Sequence, residues 1–209
     1  TLRTVLSKMC NTMPMTVSKT RDMLVDVARQ LFARMGVDNT TMNDIAQASR
    51  KGRRTLYTYF KSKNEIYLAV VESELDQLHK MLVDVASKDL PADEKLLTFI
   101  YSRLDAVKAL VFRNGTLRAT FFRDIWRVEK VRKSFDLREV EIIKGILDDG
   151  VKEGVFSMPD TDITALVLHH ALKGLEVPYI RGIMGDNISQ RIKRRDNVMN
   201  LIFNGIKIK

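Results

Sequence analysis

The chain has 209 residues, enough for one large domain or a small domain plus an ordinary one, and 45% of them are hydrophobic, so a packed core is expected rather than a disordered chain. Ten glycines, four prolines and a 29% charged fraction favour helices over a strand-and-turn architecture. No run of about 18 apolar residues offers a membrane span. The single cysteine, Cys10, excludes an intramolecular disulfide and agrees with a reducing cytosol, so a cytoplasmic location is expected.

The charge of +9 is uneven: residues 1–63 carry a net +8, residues 64–188 a net −4 and residues 189–209 a net +5. A basic head on a nearly neutral body points to a polyanionic partner; the alternative is a basic surface that serves solubility alone. Residues 1–17 lack the apolar core of a signal peptide and read as a flexible arm.

In chain order, Leu24, Val27, Ala28, Leu31 and Phe32 form one apolar stripe at helical spacing, with Ser18 as a cap and Gly36 as the stop. A short helix follows, opened by a capping-box pair, Thr41 and Asp44, and ending near Ser49. Gly52 punctuates the chain, and a third short helix runs from Arg53 to about Phe60. Ser62 and Glu65 form a second capping box, opening a long helix with a Val71, Leu75, Leu78, Leu82, Val85 seam that breaks at Lys88-Asp89-Leu90-Pro91. Leu96, Leu97, Ile100, Leu104, Val107 and Val111 line the next helix; Asn114-Gly115 is a turn; Leu117 to about Trp126 makes another helix. A long helix with Ile142, Ile143, Ile146 and Leu147 on its stripe ends at Gly150–Gly154. Asp160 or Thr161 caps a helix lined by Ile163, Leu166, Val167, Ala171 and Leu175, which Pro178 kinks or ends, and a last helix covers about Ser189 to Asn204. No period-2 strand and no internal repeat is found, so the fold is expected to be all-α.

Residues 41–60 hold two short helices around a tight turn, the pattern of a helix-turn-helix whose second helix can enter the major groove. That second helix opens with Arg53-Arg54-Thr55. Two cations at a helix N-terminus oppose the macrodipole at about 0.3–1 kcal/mol each, a placement that gains only from an anionic partner; Arg can also pair bidentately with guanine. The competing reading leaves both arginines in solvent. Leu56 and Phe60 share the inner face. Tyr57 suits a phosphate contact, whereas Tyr59 suits the core at least as well.

Residues 20–70 resemble the DNA-binding domain of the TetR family of bacterial transcriptional repressors. The resemblance rests on Ala28, Phe32, Gly36, Thr40-Thr41, Asp44-Ile45-Ala46, Ala48, Thr55-Leu56-Tyr57-Thr58-Tyr59-Phe60 and Ser62-Lys63-Asn64-Glu65. It implies phosphate contacts at Thr41 or its neighbour Thr40, at Tyr57 and at Lys63, and groove-facing positions at Arg53, Arg54, Thr55 and Thr58. Lys63 would sit in the first turn of the long helix, beside free backbone N–H groups that favour anions. The chain departs from the family with Arg50-Lys51 in place of Gly-Val in the turn, Gly52 in place of a hydroxyl cap, and Arg54 where a small residue is usual. Arg50, Lys51, Tyr59 and Lys61 complete the expected DNA-binding set.

The C-terminal part resembles the family's regulatory domain more loosely, through Ile146-Leu147, Gly150-Val151, Gly154-Val155-Phe156, Ala165 and Gly174-Leu175. The resemblance implies a homodimer through the last two helices, about 161–184 and 188–206, and an effector pocket among the helices between 65 and 156. Phe99, Tyr101, Phe112, Phe121, Phe122, Trp126 and Phe135 are the candidate lining, each with plain core packing as the competing reading.

His79, His169 and His170 are the only histidines. The adjacent pair point about 100° apart on a helix and cannot share one metal well, and no zinc-ligand spacing, phosphate loop or nucleophile elbow occurs. No catalytic residue, cofactor or metal is expected. The expected architecture is therefore an arm over 1–17, a three-helix helix-turn-helix domain over 18–63, and, joined by the long helix, a helical effector-binding and dimerisation domain over 64–209. The expected function is a DNA-binding transcriptional regulator, a repressor released from a palindromic operator by a small-molecule effector. The rival is a helical scaffold protein whose basic head holds an acidic partner.

Overall fold

The computed structural model describes residues 19–113, 125–182 and 200. Seven helices make up the described residues: α1 Lys19–Met35, α2 Met42–Ala48, α3 Arg53–Tyr59, α4 Lys63–Ala86, α5 Ala92–Arg113, α6 Ile125–Lys152 and α7 Thr161–Ile180. None is long and apolar enough to cross a membrane. The arm, the Ser18 cap, the turn at 114–115, most of the 117–126 segment and, apart from residue 200, the last helix expected over 189–204 lie outside the described residues.

The apolar spacing of the sequence becomes burial. Leu24, Ala28, Leu31 and Phe32 of α1 are inside, and Gly36, at φ +88°, ends the helix by donating its N–H to the Phe32 carbonyl at 3.0 Å. In α4 the Val71, Leu75, Leu78, Leu82, Val85 seam is buried, with Ile66, Tyr67 and Val70 extending it toward the head. The ring of Tyr67 meets that of Phe32 edge-on at 6.1 Å. Thus α4 packs against α1 at one end and against α5 and α6 at the other, and one continuous core runs from head to body.

Three local results depart from the sequence reading. The second capping box is half made: Ser62 accepts the Glu65 N–H at 3.2 Å, but the Glu65 carboxylate accepts the N–H of Lys61 at 2.7 Å rather than that of Ser62. Trp126 is not at the end of a separate helix; it stands in the first turn of α6. The long helix ends at Lys152, within the expected Gly150–Gly154 stretch, and the Phe156 ring folds back onto Gly150, where a Cβ would come within 2.1 Å of it. Finally, α7 buries Ala165, His169, Leu172, Glu176 and Ile180, so the stripe of Ile163, Leu166 and Val167 faces outward. Pro178 sits in the last turn of α7, where it ends little, and the helix closes at Ile180.

The body is tied at both ends. The first N–H of α5, at Ala92, has no intrahelical partner, and Glu153 from the far end of α6 accepts it at 3.0 Å. Asp160 caps α7 by accepting from the Ile163 N–H at 2.9 Å, while Thr161 donates its hydroxyl to Asp148 at 2.7 Å.

Candidate nucleic-acid interface

Helices α2 and α3 meet through a turn built by the backbone. At the C-terminus of α2, the Lys51 N–H donates to the Ala46 carbonyl at 3.1 Å and the Arg50 N–H to the Gln47 carbonyl at 3.0 Å, the paired bonds of a Schellman motif. That motif needs a left-handed residue, normally glycine, and Arg50 fills it at φ +54°. Despite Arg50-Lys51 in place of Gly-Val, the chain keeps the turn and accepts a side chain in the left-handed region, at a cost of about 1–2 kcal/mol. Ser49 supports it from inside, its hydroxyl donating to the Ala46 carbonyl at 3.0 Å.

The start of α2 is the full capping box. Asp44 N–H donates to the Thr41 hydroxyl oxygen at 3.2 Å, and the Thr41 N–H and hydroxyl donate to the Asp44 carboxylate at 2.8 and 2.7 Å. Hydrogen bonds from the Thr41 hydroxyl and backbone hold the Asp44 carboxyl below the usual carboxylate range. Helix α3 starts at Gly52 with no side-chain cap.

The expected DNA-contacting residues separate into two groups. Thr41, Arg50, Lys51, Arg53, Arg54, Tyr57, Thr58 and Lys61 are exposed and Thr55 is half-buried; Leu56 and Phe60 are buried beneath them. Tyr57 stands 46% exposed, far out for a tyrosine with a buried leucine beside it. Among the described residues no acidic side chain pairs with Arg50, Lys51, Arg53 or Arg54. The Thr58 hydroxyl donates back to the Arg54 carbonyl at 2.9 Å, leaving its lone pairs and methyl group outward.

The second group turns inward. Thr40 is fully buried and donates its hydroxyl to the Gly36 carbonyl at 2.6 Å, so its side chain belongs to the loop between α1 and α2. Tyr59 is half-buried and packs against the core, as its competing reading held. Lys63 donates its ammonium to the carbonyls of Val37 and Asp38 at 2.7 and 3.1 Å. It staples the α1–α2 loop to the first turn of α4.

Three of the seven aromatic residues expected around an effector have described side chains. Phe99 and Phe135 are buried in the core and Tyr101 is half-buried on α5. Phe121 and Phe122 lie outside the described residues, as do the side chains of Phe112 and Trp126. A half-open cleft of about 240 Å³ lies between α4 and α6, lined by Glu72, Leu75, Asp76, Val131, Ser134 and Arg138. It is smaller than the roughly 300–1,000 Å³ of a drug-sized ligand site, and Phe99, Tyr101 and Phe135 are not among its lining.

A feature the sequence reading missed is a charged cluster in the middle of the body. Arg103 of α5 is fully buried; it pairs with Glu139 of α6 and donates to Glu176 of α7 at 2.8 Å. Arg132 donates to the same Glu176 carboxylate at 2.8 and 3.0 Å. His169, 1% exposed, adjoins Glu139, and Lys173 reaches Asp136 at 2.6 Å. The signal was available: Arg103 falls between Ile100, Leu104 and Val107 on an apolar face, and Glu139 between Phe135 and Ile143.

Residues 24–70 match the family model described as bacterial regulatory proteins, tetR family. The chain is 20% identical over 189 residues to the HTH-type transcriptional regulator QacR of Staphylococcus aureus, covering 89% of this chain and 97% of that protein. It is 29% identical over 141 residues to the HTH-type transcriptional repressor KstR2 of Rhodococcus jostii, covering 65% and 67%. Among solved structures, a transcriptional regulator from Cytophaga hutchinsonii superposes with a TM-score of 0.73 at 24% identity, over 91% of this chain and 100% of that one. A TetR/AcrR-family regulator from Thermobifida fusca does so with a TM-score of 0.65 at 22% identity, over 90% and 98%. At those identities the structural likeness speaks for the fold, while the matched head, with its exposed and unpaired cations on a helix-turn-helix, speaks for the function. Residues 24–70 are thus a DNA-binding head of the kind found in the tetR family of bacterial regulatory proteins, and the chain is similar along most of its length to DNA-binding transcriptional regulators.

Proposed function

We propose that the protein is a homodimeric repressor that sits on a palindromic operator and leaves it when a small-molecule effector binds the helical body. The observation that carries the DNA reading is the exposed set Arg50, Lys51, Arg53, Arg54, Tyr57 and Thr58, without an acidic partner among the described residues, on two short helices and their turn. Arg53, Arg54, Thr55 and Thr58 read base edges, and Thr41, Arg50, Lys51, Tyr57 and Lys61 hold phosphates. Thr40 and Lys63 act indirectly, by fixing the α1–α2 loop that presents Thr41.

The dimer reading is supported by α7. Ile163, Leu166 and Val167 are 62%, 48% and 62% exposed and lie at i, i+3 and i+4, one apolar face on a helix whose opposite face is buried. The rest of the expected interface, about 188–206, lies outside the described residues. Two heads held by such a dimer read major grooves about 34–36 Å apart. The domain division at about residue 63 follows the same logic: the head ends where α4 begins, and α4 carries any change of the body to it.

The test is selection of binding sites from random duplex DNA, followed by affinity measurements across a salt series. A twofold-symmetric site with a steep fall of affinity on added salt is expected. A protein that selects no site and shows no salt dependence leaves the acidic-partner reading in its place.

A further inference from the structure

We propose that Asp136, Glu139 and His169 form a binding site for a first-row divalent cation of the zinc class, clamping α6 to α7 inside the body. Asp136 and Glu139 stand at i and i+3 on α6 and so share a face; His169 meets them from α7. One ligand atom from each lies within 4.8 Å of the other two. Bonds of about 2.0–2.2 Å hold ligand atoms roughly 3–4.4 Å apart, so a closure of a few tenths of an ångström completes the set.

The ring of His169 is what distinguishes this cluster from an ordinary acidic pair. It is 1% exposed, and among the described residues neither of its nitrogens meets an acceptor or donor in good hydrogen-bond geometry, nor does Asp136 Oδ1. His169 Nδ1 lies 3.2 Å from Glu139 Oε2 and Nε2 lies 3.7 Å from Asp136 Oδ1. Neither contact is an aligned hydrogen bond, and an ion taken by one ring nitrogen replaces that poor contact with a directed bond while the other nitrogen keeps its N–H beside a carboxylate. The other oxygen of each carboxylate is held from behind: Lys173 binds Asp136 Oδ2 at 2.6 Å and Arg103 binds Glu139 Oε1. Such outer contacts orient ligating carboxylates. An imidazole with two carboxylates suits Zn²⁺, Co²⁺, Ni²⁺ or Mn²⁺ better than Ca²⁺ or Mg²⁺.

The charges around the site decide how the ion is accommodated. Arg103, Arg132 and Lys173 already balance Asp136, Glu139 and Glu176, so an added dication needs one cation to withdraw. Lys173 is the one able to do so, with a side chain 24% exposed against 0% for Arg103 and 6% for Arg132. Its ammonium turns to water as the metal enters. The spacing of ligands along the sequence hides the site, because its single histidine is on a different helix from its carboxylates.

The experiment uses the full chain, stripped with a chelator and titrated calorimetrically with zinc chloride, with the visible absorption of bound Co²⁺ as a second readout. One ion per chain is expected, with a zinc-dependent rise in melting temperature. Asp136→Asn and His169→Gln should each weaken binding at least about tenfold, whereas Lys173→Met, by removing the competing cation, should tighten it several-fold. If His169→Gln does not fold, the opposed effects of the half-buried Asp136→Asn and Lys173→Met carry the test. Absence of zinc binding by the folded wild type, or binding that Asp136→Asn and Lys173→Met leave unchanged, overturns the proposal.

Discussion

Arg29 in the middle of α1 places its guanidinium 2.7 Å from the carboxylate of Glu74, halfway along α4. The same guanidinium donates to the Ser73 hydroxyl at 2.9 Å and lies 2.8 Å from Asp26. Glu74 is only 4% exposed, so this is a head-to-body contact with one charge out of water. Removing Arg29 alone takes this cation away from a buried carboxylate, and Arg29→Met should cost about 3 kcal/mol. Replacing both, Arg29→Met with Glu74→Met, restores an apolar contact of similar volume and should recover most of the loss. Denaturant unfolding of the two single variants and the double variant measures this directly; additive losses would show that the pair does not couple head to body.

Arg50 makes a prediction with opposite signs for stability and function. At φ +54° it occupies a position that glycine fills without strain, so Arg50→Gly should stabilise the fold by about 1 kcal/mol. The same change removes an exposed cation from the proposed DNA face, so affinity for a selected operator should fall and its salt dependence should flatten by about one counterion. Thermal melts and a salt series on one preparation read both. A destabilised variant would mean that the guanidinium, not the backbone, holds the turn.

Most of the fold was legible because helices announce themselves in apolar spacing and caps. Thr41-Asp44, Asp160 and Gly36 each did in space what their positions implied. The failures have physical reasons. Apolar spacing on α7 marks two faces, and a sequence does not say which one the chain buries and which it leaves for another surface: Ile163, Leu166 and Val167 are outside. Thr40 and Lys63 match a family pattern of phosphate contacts, yet their hydrogen bonds close on the backbone of the α1–α2 loop, a partner some 25 residues distant from Lys63 that only the fold supplies. The cluster around Arg103 joins three helices, so no local window contains it.

The outward face of α7 is the next testable surface. Val167, 62% exposed, can take a charge in a lone chain with a change within about 0.5 kcal/mol. In a dimer packed through this face, Val167→Glu buries like charges opposite each other. The variant should therefore sediment as a monomer and lose operator affinity while its helical signal remains. A variant that stays dimeric places the interface elsewhere.

His79 on α4 links stability to pH. Burial lowers its pKa first and the neighbouring Arg138 guanidinium adds to this, against the raising pull of Asp76 and Glu139. A histidine whose folded value is depressed is held neutral by the fold. Above the ordinary value of about 6.5 the folded and unfolded chains hold the same number of protons there, and its contribution is fully present. As pH falls below 6.5 the unfolded chain takes up a proton that the folded chain refuses, and stability declines until the folded group titrates as well. The denaturation midpoint should thus drop between pH 7 and about 5.5, and His79→Gln should flatten that part of the profile. An identical slope in the variant would assign the loss to other groups.

The division of labour within the head gives the last prediction. Arg54, Tyr57 and Thr58 stand at i, i+3 and i+4 and are all exposed, opposite a face whose Leu56 and Phe60 are buried; that is the side of α3 a groove floor would meet. Lys51 lies in the turn before α3, at the edge of this surface. Arg54→Ala should cost about 1–3 kcal/mol on the selected operator and relax the preference at one base pair. Lys51→Ala should weaken all duplexes alike and reduce the salt slope by about 1 without changing the preference. The contrast matters more than either value, because both changes remove one positive charge and differ only in where it sits. Equal loss on operator and random duplex in both variants would show that α3 lies along the backbone rather than in the groove.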